Sequence, residues 1–346
     1  MTVTRLEAIS PDRYHAWFET HRHALHPRTP FHQPAWLRVV GRGLEAQVVF
    51  VGAYQGDHLV AVVPGCLSRR GPFRLFGSPL RGTMTSYLGP LGLAAQLSQE
   101  ENLSLLRACE RFAHRQWGSD YAEFTLYRPP EGDGWAPQGG WERQGRGSYE
   151  LDLTVGEEAL WSGLRSSCRR AVRKARKQDL EMVPLPDADL YVDLLDATFA
   201  RRGTVGPHPR RFFHVMMEEL MPRDLLWAWG VQHQGRVIAA GLFLHDDRKV
   251  HFLSGASLLS DAYRSLRHNN LLHWHAIATA AQHGLATYDL GGRGIPGIDR
   301  FKESFGPGEV DYWSVNRAPP HVRYAKRTFL FALPHWRRLQ RWLRGS

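Results

Sequence analysis

VGAYQGDHLVAVVP, from Val51 to Pro64, and WGVQHQGRVIAAGLF, from Trp229 to Phe243, are two versions of one pattern. Gly52 is followed eight and nine residues later by Val60 and Ala61, and Gly230 at the same spacing by Ile238 and Ala239, an offset of 178 residues. Each stretch is a pair of β-rich runs joined by a short turn holding Gly56 or Gly235, which predicts a hairpin. A repeated hairpin at a fixed offset points to a duplicated unit.

The order of elements around the hairpins repeats as well. In the first half, strands are predicted near Gln47 to Tyr54 and His58 to Leu67, a helix near Gln99 to Trp117 and a strand near Tyr121 to Tyr127. In the second half, strands near Leu225 to Gln232, Val237 to His245 and Val250 to Gly255 precede a helix near Asn270 to His283 and a strand near Thr287 to Leu290. Antiparallel hairpins followed by a helix and a further strand make an α+β fold: tandem domains, each a mixed, mostly antiparallel sheet flanked by helices. The chain divides as 1–145, 146–320 and a tail, 321–346. The Gly- and Pro-rich stretch from Pro129 to Gly147 reads as the linker.

At 346 residues, two domains are the expectation, and 43% hydrophobic residues with 12 Trp and 16 Phe can fill their cores. Cys66, Cys109 and Cys168 form no Cys-x-x-Cys pair, which argues against a disulfide framework and a structural zinc. The amino terminus carries no apolar stretch resembling a secretion signal, so a cytoplasmic location is expected, with possible contact at the inner face of the membrane.

The net charge of +10 is concentrated in two places. Arg165 to Lys177 holds seven basic residues and no acid, and Arg317 to the end holds eight, again with no acid; without these segments the chain is net negative. Such segments suit a polyanion, a phosphorylated substrate or an anionic membrane surface, or else they are solvated helix faces. The first segment belongs to a predicted helix that starts ahead of it: Thr154 and Glu157 fit a capping box, and Leu160, Trp161, Leu164, Cys168, Val172 and Ala175 recur at helical spacing. Arg165, Arg169, Arg173 and Arg176 fall on a second stripe, with Arg170, Lys174 and Lys177 beside it. Cys168 sits in the apolar stripe, where packing outweighs a role as a reactive thiolate. In the tail, Phe329, Leu330, Phe331, Leu333, Trp336, Leu339, Trp342 and Leu343 alternate with Arg337, Arg338, Arg341 and Arg344. That pattern suits either the headgroup region of a bilayer or docking on the protein itself.

Several motifs lose their force in context. Gly292-Arg-Gly294-Ile-Pro-Gly297 has the spacing of a dinucleotide loop, but Pro296 interrupts it and no acid follows about 20 residues on in a βαβ unit. His273 and His275, two apart on a helix, point different ways, and His268 and His273 fare no better, so no metal site is expected. Neither a G-x-S-x-G elbow nor a G-x-x-x-x-G-K-[ST] phosphate loop occurs.

NNLLHW from Asn269 to Trp274, followed by YDLGG and by RFKESFG ending at Gly306, resembles the carboxy-terminal domain of FemAB-type aminoacyltransferases of the GNAT acyltransferase superfamily. PFHQPAWL from Pro30 to Leu37 is similar to the family's opening segment, and LRSSCRRAVRKARKQDLE from Leu164 to Glu181 resembles the basic helix that starts its second domain. The resemblance implies two GNAT-like domains with a substrate channel between them, and transfer of an amino acid from aminoacyl-tRNA onto an amine of a cell-wall precursor or related metabolite. It implies tRNA and an amine-bearing acceptor as partners, and no resident cofactor. The long coiled coil of FemA-like members has no counterpart here. The usual GNAT pyrophosphate loop is replaced by Arg264-Ser-Leu-Arg-His-Asn-Asn, which counts against acetyl-CoA without excluding it. An acyl-CoA or acyl-carrier-protein donor with a saccharide or small-molecule acceptor is therefore an alternative, as is a non-catalytic pair that binds tRNA or anionic membrane.

Amide formation passes through a tetrahedral oxyanion that needs nearby positive charge. Lys302, between Phe301 and Phe305, is the candidate for that charge, and the resemblance places the equivalent lysine in the active site; the other reading is a surface lysine paired to Glu303 or Asp299. Asp289 either orients Lys302, accepts the amine proton, or only caps the turn. The donor is assigned to Arg264, Asn269, Asn270, Phe301, Phe305, Arg165, Arg169 and Arg173, with Asn269 and Asn270 as a helix cap whose amides meet a phosphate or as a plain cap. Arg202, Trp36 and Tyr87 are assigned to the acceptor.

Overall fold

Both hairpins form where their turns put them, and each is the middle of a larger repeated unit. The computed structural model describes residues 3–93, 99–127, 140–201, 203–258, 261–324 and 328. The first unit runs β1 (Arg5–Ile9), α1 (Pro11–His21), α2 (Pro34–Leu44), β2 (Gln47–Gln55), β3 (His58–Arg70), β4 (Phe73–Ser78), β5 (Leu91–Gly92), α3 (Gln99–Trp117) and β6 (Tyr121–Leu126). β7 (Trp141–Asp152), α4 (Glu157–Gly163) and α5 (Ser166–Arg176) follow. The second unit runs β8 (Glu181–Pro184), α6 (Ala188–Ala200), α7 (Arg210–Leu220), β9 (Leu226–His233), β10 (Arg236–His245), β11 (Lys249–Ser257), α8 (Asp261–Arg264), α9 (His268–Gln282), β12 (Thr287–Gly292), α10 (Pro296–Glu303) and β13 (Gly308–Arg317).

The strands make one sheet in the order β1-β2-β3-β4-β6-β13-β7-β12-β11-β10-β9-β8, with β5 beside β3. Read from the two edges inward, the order is the same: a short edge strand, an antiparallel hairpin, a third strand, then a parallel neighbour reached through a crossover helix. α3 is that crossover in the first unit and α9 in the second, because a parallel partner cannot be reached by a tight turn. The centre is an exchange. β7 continues the first unit but pairs with β12 of the second, while β13 continues the second and pairs with β6 of the first. The division at residue 145 thus falls inside β7, and Trp141 to Gly147, read from sequence as linker, is strand; residues 128–139 and the tail segment 329–346 lie outside the described residues.

One face of the sheet is covered jointly by α1, α2, α6 and α7, whose buried side chains form a core shared by both units. α2 and α7 occupy equivalent places in the repeat and meet each other. Trp36 packs edge-on against Phe212 at 6.4 Å, and a Cβ on Gly43 would stand 2.9 Å from the Phe212 ring, so only glycine permits this approach. Burial of each large side chain of this kind contributes roughly 1.5–3 kcal/mol. On the other face, α3 covers the first unit, and α4, α5 and α9 cover the second.

The stretch from Thr154 to Lys177, read from sequence as one helix, folds as two, α4 and the basic α5. Leu164 and Arg165 are extended (ψ 140° and 146°), ending α4 before α5 begins. The capping box does not form: the Thr154 amide and hydroxyl both donate to Asp152, and Gly156 is the N-cap. The apolar stripe Leu160, Leu164, Cys168, Val172 and Ala175 is buried, and Trp161 is half-buried beside it. Among the described residues, no helix is long and apolar enough to cross a membrane.

Candidate active site

β11 and β12 pair in parallel at Lys249 with Thr287, Val250 with Tyr288 and His251 with Asp289, and then part. Beyond that point β11 stays paired with β10, while β12 bulges through Gly291, at φ +81°, and resumes its pairing with β7 at Gly292. The result is a wedge at the carboxyl ends of two parallel strands, where open sheets receive ligands. Lys302, on α10, reaches into it. Its Nζ donates to the Gly292 carbonyl at 2.8 Å, and a Cβ on Gly291 would come within 3.6 Å of that Nζ. The residue is only 8% exposed, so it is not a surface lysine; Glu303 instead accepts from Arg165 and Tyr149.

Strand register gathers the remaining groups. His251, Asp289 and Glu150 are direct neighbours across β11, β12 and β7, so their side chains share one face. Lys249 and Ser148 join them, each two residues from a member of the row. The Asp289 carboxylate is fully buried. Its Oδ2 accepts from the Tyr87 hydroxyl at 2.6 Å and lies 3.0 Å from both Lys249 Nζ and His251 Nδ1. Its Oδ1 accepts from the Ser148 hydroxyl and, at 2.8 Å, from the Gly291 amide. Lys249 Nζ also donates to Glu150 at 2.5 Å and lies 4.1 Å from the centre of the Tyr127 ring, whose hydroxyl donates to Glu150 at 3.0 Å. The second ring nitrogen of His251, Nε2, is 3.1 Å from the Ser86 hydroxyl.

These contacts set the charges. Burial alone would raise the Asp289 carboxyl, but the neighbouring Lys249 and His251 and the hydrogen bonds more than offset it, holding it well below the usual carboxylate range. Burial alone would lower Lys249, and Asp289 and Glu150 reverse that. Lys302 is different: burial dominates and holds its ammonium below the ordinary lysine value, with Asp289 and Asp299 pulling the other way. His273 beside it, in contact with Phe252, Phe301 and Phe305, is lowered to about 3 by burial and by Lys302, and so is neutral.

Opposite the polar cluster, an open groove of about 420 Å³ runs between α5, the start of α9 and the end of α10. Arg170, Lys174, Arg267, Asn270 and Phe301 line it. The three cations make no ion pair among the described residues. Arg267 is the N-cap of α9 in a left-handed conformation, φ +62°, and no side chain caps the helix, so neither Asn269 nor Asn270 is the cap expected from sequence. Asn270 lines the groove and donates to Cys168 Sγ at 3.5 Å, while Asn269 is half-buried. Burial raises the Cys168 thiol, in keeping with a packing role.

The cations expected to face a donor are mostly engaged elsewhere. Arg165 pairs with Glu303, Arg169 folds back onto the carbonyls of Ser162 and Leu164 where α4 ends, and Arg173 lies over the Trp161 ring with Arg176. The groove is faced instead by Arg170 and Lys174, one position round the helix. Arg264 is exposed, Phe301 half-buried and Phe305 buried. Trp36 is fully buried and donates to Thr85, which makes it a core residue and removes it from direct contact with an acceptor. Tyr87 joins the Asp289 cluster. Arg202 lies outside the described residues.

Lys249, His251, Glu150, Ser148, Ser86 and Tyr127 escaped sequence reading. The signal for the first two was present: KVH places a cation and an imidazole on the same face of an otherwise apolar strand. Gly306 locks α10 against α4: at φ +78°, a Cβ there would stand 2.5 Å from the Gly163 carbonyl oxygen. Gly306→Ala is expected to cost about 1–3 kcal/mol of stability, and calorimetric melting against wild type checks it.

Residues 162–303 match the family described as an acetyltransferase (GNAT) domain. No curated protein matches the chain. Among solved structures, the fold is similar to that of FemX (TM-score 0.65, 12% identity, covering 90% of this chain and 97% of that one). It is also similar to the C-terminal domain of a putative lysylphosphatidylglycerol synthetase from Agrobacterium fabrum (0.55, 12%, 94% and 97%). A third similar structure is a tandem GNAT protein from the clavulanic acid biosynthesis pathway (0.54, 14%, 91% and 98%). Residues 162–303 thus match a GNAT acetyltransferase domain inside a tandem-GNAT fold, and the class is acyltransferase.

Proposed function

We propose that this GNAT acyltransferase forms an amide by moving an aminoacyl group from aminoacyl-tRNA to an amine. The observation that carries the reading is Lys302, a buried ammonium held at the mouth of the β11–β12 wedge between a cationic groove and a polar cluster. A donor whose phosphates rest on Arg170, Lys174 and Arg267 would extend its acyl group past Phe301 to the wedge, and the acceptor would enter from the Asp289 side. As the amine attacks, negative charge grows on the carbonyl oxygen; the N–H bonds of the buried Lys302 that are not given to Gly292 stabilise it. Asp289, with donors on both oxygens, orients the surrounding groups and is not the proton acceptor.

The donor class is tested by incubating the protein with a mixed pool of charged tRNAs, with acetyl-CoA and with small primary amines, then following which donor is discharged. Loss of acetyl-CoA alone would reject the tRNA reading. Acyl-CoA is the second reading, favoured by the solved tandem GNAT protein whose description refers to acetyl-CoA. Arg170→Ala and Lys174→Ala separate the two. For a tRNA donor each is expected to weaken binding and to lower the log–log salt slope by about 0.7–1, measured by filter binding across salt concentrations. An unchanged slope would place the tRNA backbone elsewhere.

A further inference from the structure

We propose that His251 is the base that takes the acceptor's proton, at Nε2, in the position now held by the Ser86 hydroxyl. The inference rests on the amide-forming reading above and assigns the step which Asp289 cannot perform.

The His251 ring is buried between aromatic rings, with Nδ1 close to a carboxylate but outside hydrogen-bond geometry. Nδ1 lies 3.0 Å from Asp289 Oδ2, Phe31 stands edge-on at 4.8 Å and Tyr87 at 5.9 Å. A carboxylate beside Nδ1 favours the tautomer with the proton there, leaving the Nε2 lone pair free to accept. Nε2 points to Ser86, 3.1 Å away, which is half-buried where Asp289, Ser148 and His251 itself are sealed. The segment before Ser86 is held in an uncommon shape: Met84 has φ +54°, a left-handed conformation that a non-glycine residue adopts only when its surroundings impose it. Base, orienting carboxylate and a partly open hydroxyl thus lie in a row at the last paired residues of β11 and β12, beside the wedge where Lys302 stands.

An alkylamine reaches the site as an ammonium. Nε2 takes one proton, which frees the nitrogen lone pair, and the C–N bond forms at the acyl carbon while the carbonyl electron pair moves to the oxygen near Lys302. Return of that pair breaks the bond to the donor's ribose oxygen, which leaves with the second amine proton. After the product leaves and the Ser86 hydroxyl is back beside Nε2, the proton on His251 passes through it to water. The groups facing His251 are Asp289 from β12, Lys249 from its own strand, Glu150 from β7, and Ser86 and Tyr87 from the first unit.

The test compares two probes on the full chain: ethylamine, protonated near neutral pH, and methoxyamine, already neutral there. With whichever of the charged-tRNA pool or acetyl-CoA the wild type discharges, His251→Gln is expected to lose on the order of 10²-fold in rate with ethylamine and only a few-fold with methoxyamine. The ratio between probes does not depend on how much of the variant is folded. His251→Asn, which keeps an amide toward Asp289, is expected to show the same contrast. Equal losses with both amines in an otherwise active enzyme would overturn the assignment and leave the acyl-transfer reading standing. An acyl adduct on Ser86 after acid quench with donor alone would also overturn it, by making Ser86 the nucleophile. A wild type that discharges neither donor would overturn both readings.

Discussion

Lys302→Met is expected to lower the rate of acyl transfer by a factor on the order of 10² to 10³, the usual consequence of removing one donor to a developing oxyanion. Methionine keeps the length of the chain and removes a charge whose burial is unfavourable, so the fold should survive and the melting temperature stay near that of wild type. Donor binding in the groove should also survive, because Arg170, Lys174 and Arg267 are untouched. The pH dependence carries a sign: burial lowers the ammonium below the ordinary lysine value, so the alkaline fall in rate should begin at a lower pH than a free lysine would dictate. Steady-state rates with the discharged donor, beside equilibrium binding of that donor, check the prediction. Turnover that survives the substitution would remove Lys302 from the chemistry and leave the oxyanion to be stabilised by another group.

Asp289→Asn is expected to destabilise the protein by about 3–5 kcal/mol at neutral pH, the cost of breaking a buried ion pair from one side. The carboxylate is fully buried and balances Lys249, which would otherwise share only Glu150. The sign with pH follows from its depressed folded value. The stabilisation is present above the unfolded carboxyl value near 3.8 and is lost as pH falls through the lower folded one, so the gap between variant and wild type should narrow in acid. Denaturant unfolding at pH 7 and in acid reads both effects. No difference at pH 7 would show that the network is not held together by this charge.

A large share of the fold was legible because it rests on short-range signals. The hairpins at Gly56 and Gly235, the helix Gln99–Trp117 and the strand beginning at Thr287 follow from turn chemistry and periodicity within a dozen residues. The duplication was visible in one hairpin and proved to extend to the sheet order on both sides. The exchange of β7 and β13 was not legible. Strand sequences state which face is buried but not which partner lies alongside, and a Gly-rich strand such as Trp141–Asp152 reads as a linker.

The site divides in the same way. Lys302, Phe301, Phe305 and Asp289 stand within one short segment, and strand, turn and helix bring them together without help from distant chain. Tyr87 reaches Asp289 across 202 residues of sequence, and Ser86 reaches His251 across 165. The sequence by itself determined the repeated units, the position of the basic helix and the lysine beside the glycine-rich strand end, because each depends on local backbone preference. Only the tertiary structure decided which cations face the groove, that Trp36 belongs to the core, and that an acid, an imidazole and a hydroxyl meet beside the wedge. Those outcomes depend on strand register and on competition between partners for each charged group, and both are fixed only when the two units close on each other.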